Sequence, residues 1–445
     1  MQSDIHHSTN NGAKDISHPQ REHVFHRKNF MNCVAFLKRL SLLVCAAAFA
    51  LPTLLMAGAG SLDPTFGTNG IVTTANTGAN AAALQNDGKI VVAGSISTSQ
   101  NPRQPGIMRY NIDGTLDPNF GSGGRVIVPA TVEVGPAFAV AIQSDGKILA
   151  ATSNNLRVGV FRFNVNGTPD RTFGSNGVAT IRPNVLDEGN LLVGGIVVQS
   201  DGKILIAAND TGTSAETFGR LLPNGQPDST FGTNGAAPLV TGAQTLALQP
   251  SGQILVLSFF GGGGTAVRYT TNGNLDTTFS GAGQAPGFGP GSPGGLAVIN
   301  STSKFIVTGS LIKSLTFADS VSGFLLVRYM SDGVIDSSFG RNGIAVTPFP
   351  CNMISSALSV AIQANGDIVA AGETATTASG PSDFALARYT ANGTLDTTFG
   401  NGGFVSTPFG NSIASINNVL IQTDGKILAV GNSDNGTTLA RYLAQ

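Results

Sequence analysis

Seven aspartates and seven arginines recur in this chain at fixed spacing, and charge pairing is the first chemistry they suggest. Asp63, Asp117, Asp170, Asp228, Asp276, Asp336 and Asp396 each open an Asp-x-x-Phe motif, with a glycine seven residues after the aspartate. Arg109, Arg162, Arg220, Arg268, Arg328 and Arg388 each stand eight residues before the next of these aspartates. A carboxylate held at constant separation from a guanidinium across a glycine turn suits bidentate pairing. An aspartate that only caps its own turn would show the same regularity. Asp63 has no arginine at that spacing before it, and Arg441 has no aspartate after it. If the chain closes into a ring, these two form the seventh pair across the termini.

Other chemistry is narrower. The five histidines are His6, His7, His18, His23 and His26, so the chain from residue 60 onward has no imidazole base for a serine or cysteine nucleophile and no His-based zinc or copper site. A glycosidase or lyase working on carboxylates alone would draw on the non-repeat acids Glu133, Asp187, Glu188, Asp210, Glu216, Asp319, Glu373 and Asp383. Calcium is the one cofactor these residues suggest: Asn111 to Asp117 and Ser331 to Asp336 place oxygen side chains around a glycine turn, but without the acid set and closing glutamate of an EF-type loop. A glycine-terminated Asx turn accounts for both loops. The run Gly261 to Gly264 has no lysine after it and reads as a loop, not a phosphate cradle. There is no tryptophan, and all five tyrosines sit in repeat motifs, which weakens a sugar-stacking lectin. No catalytic, cofactor-binding or metal residue is assigned.

The elements that position these residues follow from two further signatures. One is Gln85-Asn-Asp-Gly-Lys89 and its copies starting at Gln143, Gln199, Gln249, Gln363 and Gln422, with a degenerate fifth, Asn300-Ser-Thr-Ser-Lys304. The other is an apolar run ending in arginine and usually an aromatic, as in Arg109-Tyr110 and Arg441-Tyr442. The period is roughly 55 residues. Each repeat reads as four strands: one after the glycine of Asp-x-x-Phe-Gly-x-x-Gly (Ile71-Val72-Thr73), one ending at Gln85, one apolar on both faces (Ile90 to Ala93) and the Arg-Tyr strand. The Asn/Asp-Gly dipeptide makes a tight hairpin, because glycine takes the positive φ such turns need. A strand without polar alternation is sandwiched on both sides. Seven such units predict an all-β, seven-bladed β-propeller with four antiparallel strands per blade.

Asp-x-x-Phe-Gly, Gln-x-Asp-Gly-Lys and Ala-Arg-Tyr in this order resemble the delta-60 repeat family of bacterial exported proteins. The resemblance covers Leu62 to Tyr442 and implies a β-propeller of unknown function, with no catalytic residues to carry over. Pro169 and Pro227 for Leu or Ile, Ser280 for Gly and Leu221 for Tyr depart from the pattern.

Composition agrees with an exported β protein. Charged residues are 11% of 445, glycine is 58, and the net charge of −1 offers nothing to nucleic acid. Lys38-Arg39, the apolar run Leu40 to Met56 and Ala57-Gly58-Ala59 read as a secretory signal cleaved after Ala59, with Met31 as the expected start. Residues 1–59 are then an extension and signal, and 60–445 the propeller. Cys33 and Cys45 leave with the signal, so Cys351 has no intrachain partner. No later stretch is long and apolar enough to span a bilayer.

The resulting expectation is a periplasmic or extracellular monomer serving as a binding or scaffold module for a protein or envelope polymer. A carboxylate-dependent polysaccharide-active enzyme and a surface adhesion component are the alternatives. Glycine-to-Gln connections run from 14 to 22 residues and Gln-to-Arg connections from 19 to 28, whereas the other two spacings never change. One face is therefore expected to be uniform and the other to carry the long connections 96–106, 181–192, 311–322 and 374–382, where a partner would bind.

Overall fold

The computed structural model describes residues 58–445 apart from 100, 102, 129–134, 154–156, 182–190, 211–215, 234, 238–241, 261–262, 288–290, 314–320, 350–353 and 378–379. The expected signal, apart from Gly58 and Ala59, lies outside the described residues. So do Cys351 and most of the connections 181–192 and 311–322.

Residues 57–445 form one unit of seven antiparallel sheets, a seven-bladed β-propeller. Blade 1 runs from the axis outward as Thr77–Leu84, Ile90–Ile96, Gln104–Tyr110 and Arg125–Ile127. Its second and third strands are almost wholly buried, because each lies between neighbouring blades. Blades meet through apolar layers: Leu149, Ala151 and Val160 of blade 2 pack in one cluster with Ile204, Ile206 and Ala208 of blade 3. Tyrosines tie the blades further. Tyr110 Oη lies 2.8 Å from Thr74 Oγ1, Tyr389 Oη 2.7 Å from Thr347 Oγ1, and Tyr442 Oη 2.7 Å from Thr407 Oγ1.

Strand grouping differs from the sequence expectation. The strand after each Asp-x-x-Phe-Gly-x-x-Gly is not the first of its own blade but the outermost of the blade before it. Ile71–Thr74 therefore pairs with Gly436–Tyr442, and blade 7 is built from Ser415–Ile421, Ile427–Ser433, Gly436–Tyr442 and this N-terminal strand. The cause is the Asp-x-x-Phe turn, which folds the chain back on the Arg-Tyr strand it has just left. Asp117 N–H donates to the Arg109 carbonyl at 2.9 Å, and Arg109 N–H to the Gly124 carbonyl at 2.9 Å. Six sheets have four strands. In blade 4 the outermost is reduced to a bridge between Val267 and Gln284, and Pro286, which has no N–H to give a ladder, follows shortly after.

A ring of turn-to-turn hydrogen bonds runs around the molecule. Gly67 N–H donates to the Asp113 carbonyl, Gly121 to Asn166, Gly174 to Asn224 and Gly340 to Asn392, each onto the Asn/Asp-Gly turn of the next blade. The last link is Gly400 N–H to the Ala59 carbonyl at 2.8 Å, so Ala59-Gly60 stands in for that turn at the seam. Gly60 has φ +84°, and a Cβ there would lie 2.7 Å from Gly400 N, so only glycine fits. The expected cleavage after Ala59 would remove this carbonyl. A protein beginning at Gly60 is expected to be less stable than one beginning at Gly58, by about 1 kcal/mol for the lost bond. Urea midpoints of the two purified proteins check this; equal midpoints would show that Ala59 contributes nothing.

Candidate functional site

The repeat residues assemble into seven near-identical buried sets. Arginine Nε lies 2.7 to 2.9 Å from the aspartate Oδ2 in Arg109–Asp117, Arg162–Asp170, Arg220–Asp228, Arg268–Asp276, Arg328–Asp336, Arg388–Asp396 and Arg441–Asp63. The last of these joins the two ends of the chain. Capping and pairing prove to be one arrangement, with one oxygen for each. Asp63 Oδ2 takes Arg441, while Oδ1 accepts the Thr65 N–H at 2.9 Å and the Thr65 hydroxyl at 2.7 Å.

Three contacts were not anticipated from the sequence. The hairpin lysine reaches the same carboxylate, as in Lys89–Asp117 at 3.0 Å, Lys147–Asp170 at 3.0 Å and Lys426–Asp63 at 3.1 Å. Even the degenerate fifth hairpin keeps it, Lys304–Asp336 at 2.8 Å. Each guanidinium also stacks 4.4 to 4.7 Å from the ring centre of the Asp-x-x-Phe phenylalanine, a cation–π contact. Nη1 then reaches a turn carbonyl of the next blade, with Arg388 to Ala444 and Arg441 to Ile112 both at 2.5 Å.

Burial alone would raise the Asp63 pKa, but hydrogen bonds from Thr65 and Lys426 and the charge of Arg441 outweigh it and bring it down to about 2. The other six aspartates are likewise held below the ordinary carboxylate range. A carboxylate ionised at neutral pH with both oxygens engaged is a poor general acid and has no free edge for a substrate. The oxygens of the two glycine-turn loops are engaged too: Asp113 Oδ1 accepts from Thr115, and Asp332 Oδ1 from the Val334 N–H. No group of three His, Cys, Asp or Glu side chains able to hold a metal occurs among the described residues. Of the non-repeat acids, Glu133, Asp187, Glu188 and Asp319 lie outside the described residues.

The unrepeated polar groups gather elsewhere. The innermost strand of every blade carries a bulge, at Asn80, Phe138, Gly194, Gln244, Gly294-Gly295, Leu358 and Asn417. These residues line a central channel of about 380 Å³ in which no side chain is charged. Its amides stitch neighbouring blades: Asn418 Oδ1 accepts the Ala82 N–H at 2.8 Å, and Asn80 Nδ2 donates to the Ala137 carbonyl at 3.0 Å. Beside it, between blades 7 and 1, a pocket of about 500 Å³ is bounded by Asn80, Ser97, Arg103, Asn432, Asp434 and Asn435. It sits on the face that carries the strand-two-to-strand-three connections. Bulges leave no compositional trace, which is why motif spacing missed the channel.

Residues 85–120, 143–173, 199–231, 249–279, 306–339 and 363–399 match the family model described as a domain of unknown function (DUF5122) beta-propeller. Each match but the fifth starts at the hairpin glutamine, and all end at the Asp-x-x-Phe phenylalanine, so the matched unit covers the two middle strands of a blade and the Asp-x-x-Phe turn after them. The seventh unit is the one split between the chain ends. The match supports a β-propeller repeat family. No curated protein matches the chain. Among solved structures, virginiamycin B lyase from Staphylococcus aureus is 13% identical, with TM-score 0.49, over 84% of this chain and 98% of the lyase. A gluconolactonase from Xanthomonas campestris is 12% identical, with TM-score 0.38, over 90% of this chain and 99% of that one.

Proposed function

We propose that this chain, a β-propeller repeat protein, is an exported binding or scaffold module whose partner docks on the long-connection face, at the channel mouth. One observation carries the reading. The seven repeat sets on the opposite face are engaged by their own neighbours, whereas the unrepeated polar side chains Arg103, Asp434 and Asn435 cluster beside the channel. Contacts that differ from blade to blade are where a rigid scaffold holds its specificity. The signal-like segment Lys38 to Ala59 supports export. Amides and hydroxyls at the mouth suit a hydroxyl-rich envelope polymer, since they can both donate and accept.

The test is sedimentation with insoluble envelope polysaccharide. In one variant, residues 97–103 are replaced by the two-residue Asp434-Asn435 turn that serves the same place in blade 7. Binding is expected to fall at least tenfold with an unchanged melting temperature. Full binding by the variant would move the partner away from this mouth.

A further inference from the structure

We propose that the cleft between the outer edges of blades 7 and 1 binds a hydroxylated organic carboxylate, of the size and class of a uronic acid, anchored by Arg125. This site lies on the rim, adjoins the pocket at the channel mouth only through Ala75 and Asn76, and does not depend on the function proposed above.

The first observation is a departure from the repeat. Arg125 pairs with Met108 in the outermost strand of blade 1. The register puts Val178, Ala236, Ile344, Phe404 and Ile71 at the same place in blades 2, 3, 5, 6 and 7, and Gln284 in blade 4. Six copies are uncharged and one is a cation.

The second is its surroundings. Arg125 Nε is buried without a hydrogen-bond partner, and Arg125 makes no ion pair among the described residues. Every repeat arginine, by contrast, is held by an aspartate. The Arg125 side chain as a whole is only partly buried and borders the cleft, so a carboxylate there meets a guanidinium whose charge no described residue takes up. The planar guanidinium suits the two oxygens of a carboxylate.

The third is the cleft, of about 670 Å³. Its floor is the hydroxyl pair Tyr110–Thr74 at 2.8 Å, and Thr73 and Thr115 border it beside the apolar Val72 and Leu116. A single cation among neutral hydroxyls and apolar carbons favours a singly charged molecule with hydroxyls of its own over a multiply charged phosphate.

The experiment is calorimetric titration of the propeller with galacturonate, galactose and inorganic phosphate, on the native protein and on Arg125→Gln. Glutamine already occupies this register in blade 4, so the variant is compatible with the fold, and its melting temperature verifies that. Saturable galacturonate binding, at least tenfold weaker in Arg125→Gln and at least tenfold weaker for galactose, is the expected result. No saturable binding of galacturonate, or binding indifferent to the substitution, would overturn the site. Phosphate binding as tight as galacturonate and equally dependent on Arg125 would overturn the carboxylate class. Loss of polymer binding in the 97–103 replacement leaves this titration untouched, so the two readings fail separately.

Discussion

Asp63→Ala is expected to destabilise the propeller by roughly 3–5 kcal/mol, the range for removing one partner of a buried ion pair. The Asp63 and Arg441 side chains are 2% and 4% exposed, so the guanidinium left behind cannot be rehydrated without opening the seam. Lys426 loses one of its two carboxylates at the same time and keeps Asp424 at 3.2 Å. The contrast is Asp396→Ala. Asp396 is 12% exposed, receives no hairpin lysine because Asp367 stands in that place, and joins residues eight apart, whereas Asp63 and Arg441 are 378 apart. Urea unfolding of the two variants should place Asp63→Ala well below Asp396→Ala. A cost under about 1 kcal/mol would mean that closure rests on the strand pairing of Ile71–Thr74 and the other hydrogen bonds of the seam.

Acid should unfold the domain, and the sign follows from the aspartates. Each has a folded pKa depressed below the ordinary value of 3.8, so its contribution is present above that value and is lost as pH falls through the folded one. For Asp63, brought down to about 2, the window runs from about pH 4 to about pH 2, and the contribution at neutral pH is of order 2 kcal/mol. The other six, with Asp170 and Asp336 held lower still than Asp63, add to this and bring the sum to a sizeable share of a total stability of about 5–15 kcal/mol. The alkaline side is governed by tyrosines. Burial raises Tyr110 to about 12 and holds Tyr329, Tyr389 and Tyr442 higher still, so their stabilisation is complete below about pH 10 and fades as pH rises through the folded values. Denaturation midpoints are expected to be flat from pH 5 to about 9 and to drop steeply below pH 4. A midpoint unchanged at pH 2.5 would show that the carboxylate sets do not stabilise the fold.

Blade number was legible because its motifs are copied seven times, and the Arg–Asp spacing because it is a local pattern that recurs six times. The lysine contact was legible in principle. Gln253 and Asp367 replace lysine in the fourth and sixth hairpins, and Asp276 and Asp396, the carboxylates of those repeats, are the two most exposed of the seven. Period alone did not reveal the one-strand offset between repeat and blade, since shifting every boundary by one strand leaves the periodicity the same. The bulges of the channel were hidden for another reason: an extra residue in a strand changes direction, not composition. Arg125 is visible only once the register shows what the other six blades hold at its position.

The seam has a consequence for order of assembly. Ile71–Thr74, among the first strand residues made, must wait for Gly436–Tyr442, and Ala59 and Ala444 complete turns at opposite ends of the chain. A polypeptide delivered N-terminus first can stack six blades early, but its leading strand has nothing to pair with until the last residues arrive. That strand is an unpaired edge for the whole of delivery, the kind of exposed β surface that invites wrong partners. Arrival of Gly436–Tyr442 thus becomes the event that turns an open, association-prone arc into a closed particle.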